Sequence, residues 1–117
     1  MKILKLLLIA CLFTLTAQAQ KKYELASPDG KLKTNITAGK QLTYDIVFNG
    51  QQVIAAAPIS MALENGEVWG ENDKPSKVTR KSVDGEIKSP FYRAEELDEE
   101  YNEMTLQFKG FNVVFRA

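Results

Sequence analysis

Five glycines, each completing a turn-like dipeptide, cut this chain into intervals the length of hairpin arms. They fall at Asp29-Gly30, Asn49-Gly50, Asn65-Gly66, Asp84-Gly85 and Lys109-Gly110, 16 to 25 residues apart. Asn-Gly and Asp-Gly favour two-residue hairpin turns, whose central residues need a positive φ that glycine adopts without steric cost. Each interval leaves room for two short strands. No sequence repeat accompanies the spacing, and no linker divides the chain, so one domain is expected after the N-terminal segment.

Register tests each proposed hairpin, because residues paired across a two-residue turn share a face of the sheet. At Asn49-Gly50, Ile46 is expected opposite Val53 and Tyr44 opposite Ala55, with Leu42 and Phe48 on the same side. At Lys109-Gly110, Phe108 meets Phe111, Leu106 meets Val113 and Met104 meets Phe115. Thr105, Gln107 and Asn112 take the other face. Asp29-Gly30 pairs Ser27 with Leu32, Leu25 with Thr34 and Tyr23 with Ile36. Asn65-Gly66 pairs Leu63 with Val68 but sets Glu64 against Glu67. Asp84-Gly85 is the weakest, since Val83 would face Glu86 and Ser82 would face Ile87; a longer loop or an open turn is the expectation there.

Helical periodicity is nearly absent. The run at 93–101 (RAEELDEEY) has helix-forming composition, but only Ala94 and Leu97 offer an apolar stripe. It reads as a connecting loop, with at most one helical turn, leading into a strand from Met104. The expected fold class is therefore all-β, with antiparallel hairpins forming part of a β-sandwich.

The N-terminus reads as an export signal. Lys2 and Lys5 precede an apolar stretch from Leu6 to Leu15, and Ala17-Gln18-Ala19 offers a small-x-small cleavage site before Gln20. The stretch is shorter than the roughly 20 residues a spanning helix needs, so no stable membrane anchor is expected. Residues 1–19 are assigned as the signal peptide and 20–117 as the domain, with a periplasmic destination. Lipidation at Cys11, in Leu8-Ile9-Ala10-Cys11, is a minor alternative. It would leave Leu12-Phe13-Thr14-Leu15 as an apolar start to the mature chain.

Cleavage after Ala19 removes the single cysteine, and removing Lys2 and Lys5 leaves 13 basic against 15 acidic residues. An exported chain without disulfides must rely on its apolar core. Its near-neutral charge carries no electrostatic footprint for nucleic acid. The chain has no histidine, which excludes imidazole bases, Ser-His and Cys-His nucleophile pairs, and most zinc sites.

The candidate sites are correspondingly weak. Glu95, Glu96, Asp98, Glu99 and Glu100 supply oxygen ligands of the kind calcium takes, but without the spacing or central glycine of an EF-hand loop. A solvated loop is the expected reading. Glu64 and Glu67 flank a turn, where no pocket would raise one carboxyl pKa for glycoside hydrolysis. Trp69, Phe91 and Tyr92 could stack on sugar rings or fill a sandwich core, and core burial is expected. Asn35-Ile36-Thr37 matches an N-glycosylation acceptor, chemically idle behind a bacterial type of signal.

Three stretches in order carry a resemblance. Leu25-Ala26-Ser27-Pro28-Asp29-Gly30-Lys31-Leu32, then Leu42-Thr43-Tyr44, then Val47-Phe48-Asn49-Gly50-Gln51-Gln52-Val53-Ile54 resemble the opening of glycoside hydrolase family 97. Pro58-Ile59-Ser60-Met61-Ala62-Leu63-Glu64-Asn65-Gly66, Tyr101-Asn102-Glu103 and the segment from Phe111 to Ala117 fit the same pattern. The resemblance covers essentially the whole mature chain, and it is the order and spacing of the elements that make it specific.

The resemblance implies an exo-acting α-glycosidase, an α-glucosidase or α-galactosidase. Its parts would be an N-terminal β-super-sandwich, a (β/α)8 barrel and a C-terminal β domain, with an α-linked oligosaccharide as substrate. It places the catalytic carboxylates in the barrel, and the calcium ligands in the barrel and late in the sandwich. No catalytic, cofactor-binding or metal residue is therefore assigned in this chain, and the 117-residue product is expected to be inactive alone. Calcium is expected in the full-length family and not here. The pattern places Ala117 inside a strand and covers less than half of the family's sandwich, so an incomplete sandwich belonging to a longer gene product is expected. The alternative is a standalone periplasmic carbohydrate-binding β-sandwich, and a module that accepts a partner strand on an open edge is a third reading.

Overall fold

The computed structural model describes residues 20–88 and 96–117. Alternation and turn chemistry produce three antiparallel sheets. The first has four strands in chain order: β1 (Lys21–Ala26), β2 (Leu32–Ala38), β3 (Thr43–Phe48) and β4 (Gln51–Pro58). A small pair follows, β5 (Met61–Ala62) with β6 (Val68–Trp69). The third sheet orders β7 (Lys77–Lys88), β8 (Glu96–Gln107) and β9 (Asn112–Arg116). The expected all-β architecture, an incomplete sandwich of antiparallel hairpins, is what forms.

The β1–β2 register is the expected one, Leu25 opposite Thr34 and Tyr23 opposite Ile36. The turn itself is wider than two residues. The Gly30 N–H donates to the Ser27 carbonyl at 2.8 Å, and only Gly30 of the Asp-Gly pair has positive φ. The Ser27 hydroxyl (2.6 Å) and the Lys31 N–H (3.0 Å) donate to Asp29 Oδ1, and the Leu32 N–H donates to Ser27 Oγ (3.0 Å). The Ser-Pro-Asp-Gly-Lys-Leu segment is thus a closed turn, with side chains replacing backbone partners. The Ser27 hydroxyl, then the Lys31 amide, hold the Asp29 carboxyl below its ordinary pKa.

Asn49 and Gly50 both take positive φ, +49° and +77°, as a type I′ turn requires. Phe48 accordingly pairs with Gln51, but two register shifts follow, setting Ile46 opposite Ile54 and Tyr44 opposite Ala57. This corrects the expected partners Val53 and Ala55. Each bulge puts an extra β4 residue against β3, and Val53 is left 63% exposed. At Asn65-Gly66 the expected register is off by one: Ala62 pairs with Val68, and the Leu63 N–H donates to the Glu67 carbonyl. The loop holds three residues, 64–66, with the left-handed position at Gly66, so Glu64 does not face Glu67.

Lys109-Gly110 closes the expected pairing, Leu106 with Val113 and Met104 with Phe115. Only Gly110 is left-handed there, so lysine meets no steric penalty at the first position. Asp84-Gly85 is a different case. It makes no turn at all: β7 runs straight through it, Asp84 pairing with Glu100 and Gly85 with Glu99. The acidic run expected to be a loop is strand from Glu96 onward, while 93–95 lie outside the described residues.

One face of each large sheet builds the core. Leu25, Ile36, Ala38 and Leu42 from the first sheet close over Met104, Leu106 and Phe108 from the third. Tyr23, Tyr44, Val78, Phe111, Val113 and Phe115 pack around them. Two side chains tie the layers at the rim. Asn102 Nδ2 donates to the Ala26 carbonyl at 2.8 Å, and Arg80 Nη1 donates to the Glu24 carbonyl at 2.6 Å. Between the sheets, the Leu42 N–H donates to the Gly70 carbonyl and the Ile59 N–H to the Leu42 carbonyl, both at 2.8 Å. Gly70 has φ +95°, and a Cβ there would collide with the Ile59 carbonyl oxygen.

Candidate functional site

Among the described residues, the carboxylates singled out in the sequence do not converge. Glu64 and Glu67 sit on the exposed β5–β6 loop, where Asn65 Nδ2 donates to Glu67 Oε2 (3.1 Å) and the Glu67 N–H to Asn65 Oδ1 (3.0 Å). Glu64 is in the turn and Glu67 closes it, its carbonyl accepting from the Leu63 N–H. In the acidic run, Asp98 and Glu100 occupy one face of β8 and Glu99 the other. Across the ladder, Asp98 faces Glu86 and Glu100 faces Asp84, so two rungs set carboxylate against carboxylate. Glu95 lies outside the described residues. Among those described, no group of three or more acidic residues is arranged to hold a metal ion.

Trp69 enters the packing rather than standing free. Its ring stacks on Phe111 at 4.8 Å and 12°, and Phe111 stacks on Phe108 at 4.7 Å and 9°. Beside the stack lies an open apolar hollow of about 160 Å³, lined by Leu42, Ile59, Met61, Trp69, Phe111 and Val113. Ligand pockets usually enclose about 300–1,000 Å³. The hollow is small for a sugar and poor in polar groups. Phe91 and Tyr92, the other members of the expected platform, lie outside the described residues. Asn35 is on β2 with its amide bonded to Asp45 Oδ1 at 2.8 Å, and Ile36 beside it is fully buried.

A polar cluster that residue-by-residue reading did not single out lies on β7, β8 and β9. Glu103 is only 8% exposed; Arg116 Nε donates to its Oε2 at 2.7 Å, and Lys81 Nζ stands 3.4 Å from its Oε1. The Arg116 guanidinium lies 5.0 Å from the Tyr101 ring centroid. Arg116, then Lys81, hold the Glu103 carboxyl below its ordinary pKa against the cost of burial, and Glu103 raises that of Arg116. Nearby, Glu24, Leu25, Arg80, Ser82, Asn102 and Glu103 line an open hollow of about 450 Å³ whose walls are polar and apolar in equal measure. The available signal was Asn102, a polar residue in phase with the core-facing Met104 and Leu106. Arg80 and Asn102 reach from the hollow to backbone carbonyls of the first sheet, whereas Lys81, Glu103 and Arg116 pair with one another within the third sheet.

Comparison with known proteins places the chain in a family. Residues 25–117 match the family described as glycosyl-hydrolase 97 N-terminal. A retaining alpha-galactosidase of Bacteroides thetaiotaomicron is 60% identical over 118 residues, covering 100% of this chain; the chain spans only 18% of that relative's length. Among solved structures, a beta-arabinopyranosidase superposes with a TM-score of 0.72 at 19% identity, over 83% of this chain and 16% of the other. A glycoside hydrolase family 97 enzyme from Pseudoalteromonas sp. strain K8, in complex with acarbose, superposes with a TM-score of 0.67 at 20% identity, over 80% of this chain and 15% of its own. At those identities the superpositions speak for the fold alone. With the family match spanning nearly all of the described sheets, and close identity to one curated relative, the chain belongs to the glycosyl-hydrolase 97 N-terminal family.

Proposed function

We propose that this chain is the non-catalytic N-terminal β-sandwich portion of an exported family 97 α-glycosidase, of the α-galactosidase rather than the α-glucosidase type. One observation carries the reading: 60% identity along the whole chain to a retaining alpha-galactosidase. In that proposal residues 1–19 are the signal peptide, the destination is the periplasm, and the sandwich supports the sugar pocket of a barrel encoded beyond residue 117. The acid, the nucleophile and the calcium site belong to that barrel and to later sandwich strands. Among the described residues, the scattered carboxylates and the pairing of Glu103 with Arg116 and Lys81 fit a supporting rather than a chemical role.

The test is hydrolysis of p-nitrophenyl α-galactoside and α-glucoside. The 117-residue product should release no nitrophenol from either, and a product extended through the downstream frame should prefer the galactoside. Turnover by the short product would overturn the non-catalytic assignment. A downstream stop with no barrel sequence, combined with a thermal shift of the short product by α-galactosides, would favour the standalone sugar-binding module.

A further inference from the structure

Four dipeptides of this chain join an Asn or Asp side chain to the amide of a following glycine: Asp29-Gly30, Asn49-Gly50, Asn65-Gly66 and Asp84-Gly85. In such a pair the glycine nitrogen can attack the side-chain carbonyl carbon, because no Cβ on the glycine hinders the approach. In the folded chain, the reaction depends on what already holds the two groups.

Three of the four pairs are held. At Asp29-Gly30 the Ser27 hydroxyl and the Lys31 N–H donate to Asp29 Oδ1, and the Gly30 N–H donates to the Ser27 carbonyl. Asp84-Gly85 lies inside β7, in register with Glu100 and Glu99 of β8. At Asn65-Gly66 the Glu67 N–H donates to Asn65 Oδ1 (3.0 Å) and Asn65 Nδ2 donates to Glu67 Oε2 (3.1 Å). The Gly66 N–H is taken as well, donating to the Leu63 carbonyl at 3.0 Å. Asn49-Gly50 is different. Among the described residues, neither the Asn49 side chain nor the Gly50 N–H makes a hydrogen bond. Asn49, Gly50, Asn65 and Gly66 are all exposed, so hydrogen bonding, and not exposure, separates the two Asn-Gly turns.

From this we infer that Asn49 is a site of spontaneous deamidation, at which the Gly50 nitrogen attacks Asn49 Cγ and closes a succinimide. The Gly50 N–Cγ bond forms as the Cγ–Nδ2 bond breaks, and the side-chain nitrogen leaves as ammonia with the proton of the Gly50 amide. Water then opens the ring. Attack at Cγ restores the ordinary main chain with aspartate at 49; attack at the Asn49 carbonyl carbon routes the main chain through Cγ as isoaspartate. The two products differ in what they do to the hairpin. A type I′ turn accepts Asp-Gly as it does Asn-Gly, so aspartate keeps the turn. Isoaspartate adds a carbon to a two-residue turn whose φ values are +49° and +77° and whose flanks pair Phe48 with Gln51, and it loosens the β3–β4 hairpin. The reacting atoms all belong to one turn, and the site is independent of the proposed function.

The test is incubation of the purified 117-residue chain at mildly alkaline pH, with peptide mapping resolved to the single residue and isoaspartate detection. Conversion should run about tenfold faster at Asn49 than at Asn65, the difference expected when one to two net hydrogen bonds have to break first. Unfolding in guanidinium should bring the two rates together, since both are then bare Asn-Gly pairs. Glu67→Ala should speed conversion at Asn65 several-fold and leave Asn49 unchanged. Equal rates in the folded chain, faster conversion at Asn65, a difference that persists in guanidinium, or an Asn65 rate indifferent to Glu67→Ala would overturn the inference.

Discussion

At one end of the β7–β8 ladder, Val78 pairs with Leu106 and Arg80 with Met104, beneath the first sheet and beside β9. At the other end, on the same face, Asp84 pairs with Glu100 and Glu86 with Asp98. The hydrogen-bonded register is continuous between them, so the backbone alone does not distinguish the two halves. The side chains do. Between Arg80 and Val83 the apolar positions change sides: Val78, Met104 and Leu106 face the core, whereas Val83, Ile87 and Tyr101 lie on the opposite face. Ile87 is 45% exposed and Leu106 is fully buried. The inner half is held by burial; the outer half is held by its ladder and works against two like-charge rungs.

That contrast can be broken most sharply in the core. Leu106→Ala should lower the unfolding free energy by about 2–5 kcal/mol, the usual range for emptying a packed aliphatic site. Ile87→Ala should stay within about 0.5 kcal/mol, as exposed substitutions do. Urea unfolding of the two variants compares the halves directly, and equal losses would mean the outer half is covered. Next in size is Gly70→Ala at the seam between the sheets. A left-handed non-glycine residue costs on the order of 1–3 kcal/mol, and the new methyl must also displace the Ile59 carbonyl. A thermal melt matching wild type would refute the close approach.

Asn102 sits where the inner half gives way to the outer, its amide on the Ala26 carbonyl. Asn102→Ala should cost about 1 kcal/mol, the net worth of a protein hydrogen bond, seen as a lower urea midpoint. On the outer half, Glu86→Lys replaces a like-charge rung with an opposite-charge one and should gain about 0.2–1 kcal/mol. Slower amide exchange at residues 84–88 would report it, and unchanged protection would mean the rung is already neutralised.

The last prediction concerns acid. Glu103 has a depressed carboxyl pKa in the folded chain, so its stabilising pairing is fully present above the ordinary carboxylate range and is lost as pH falls through the depressed value. Unfolding midpoints measured from neutral pH downward should fall less steeply in Glu103→Gln than in wild type. An identical acid slope would mean that Arg116 and Lys81 do not act on this group.

Much of the fold was legible because local chemistry and register agreed. Asn49-Gly50 has the two positive φ values its residue types favour, and the Phe108–Phe115 segment pairs as alternation requires. The misses share a cause. Asp84-Gly85 has turn composition, and the run at 93–101 has helix composition, but propensity is a weak prior beside a partner strand already in place. No single-phase apolar pattern marked this region as strand, because its apolar residues leave the core phase at Val83. The bulges in β4 were invisible for a related reason: alternation in Val53, Ile54 and the three alanines that follow suits more than one register, and packing selects Ile54 to face Ile46.

The sequence alone determined the all-β class, the positions of four of the five turns, the apolar composition of the core and the resemblance to family 97. Those follow from properties confined to a few neighbouring residues: φ preference, alternation, and motif order. Tertiary structure alone decided which candidate residues meet. It separated the carboxylates, turned Trp69 onto Phe111, and drew Lys81, Glu103 and Arg116 together from three strands. Such meetings depend on strand order and on residues far apart in the chain, which no local pattern encodes.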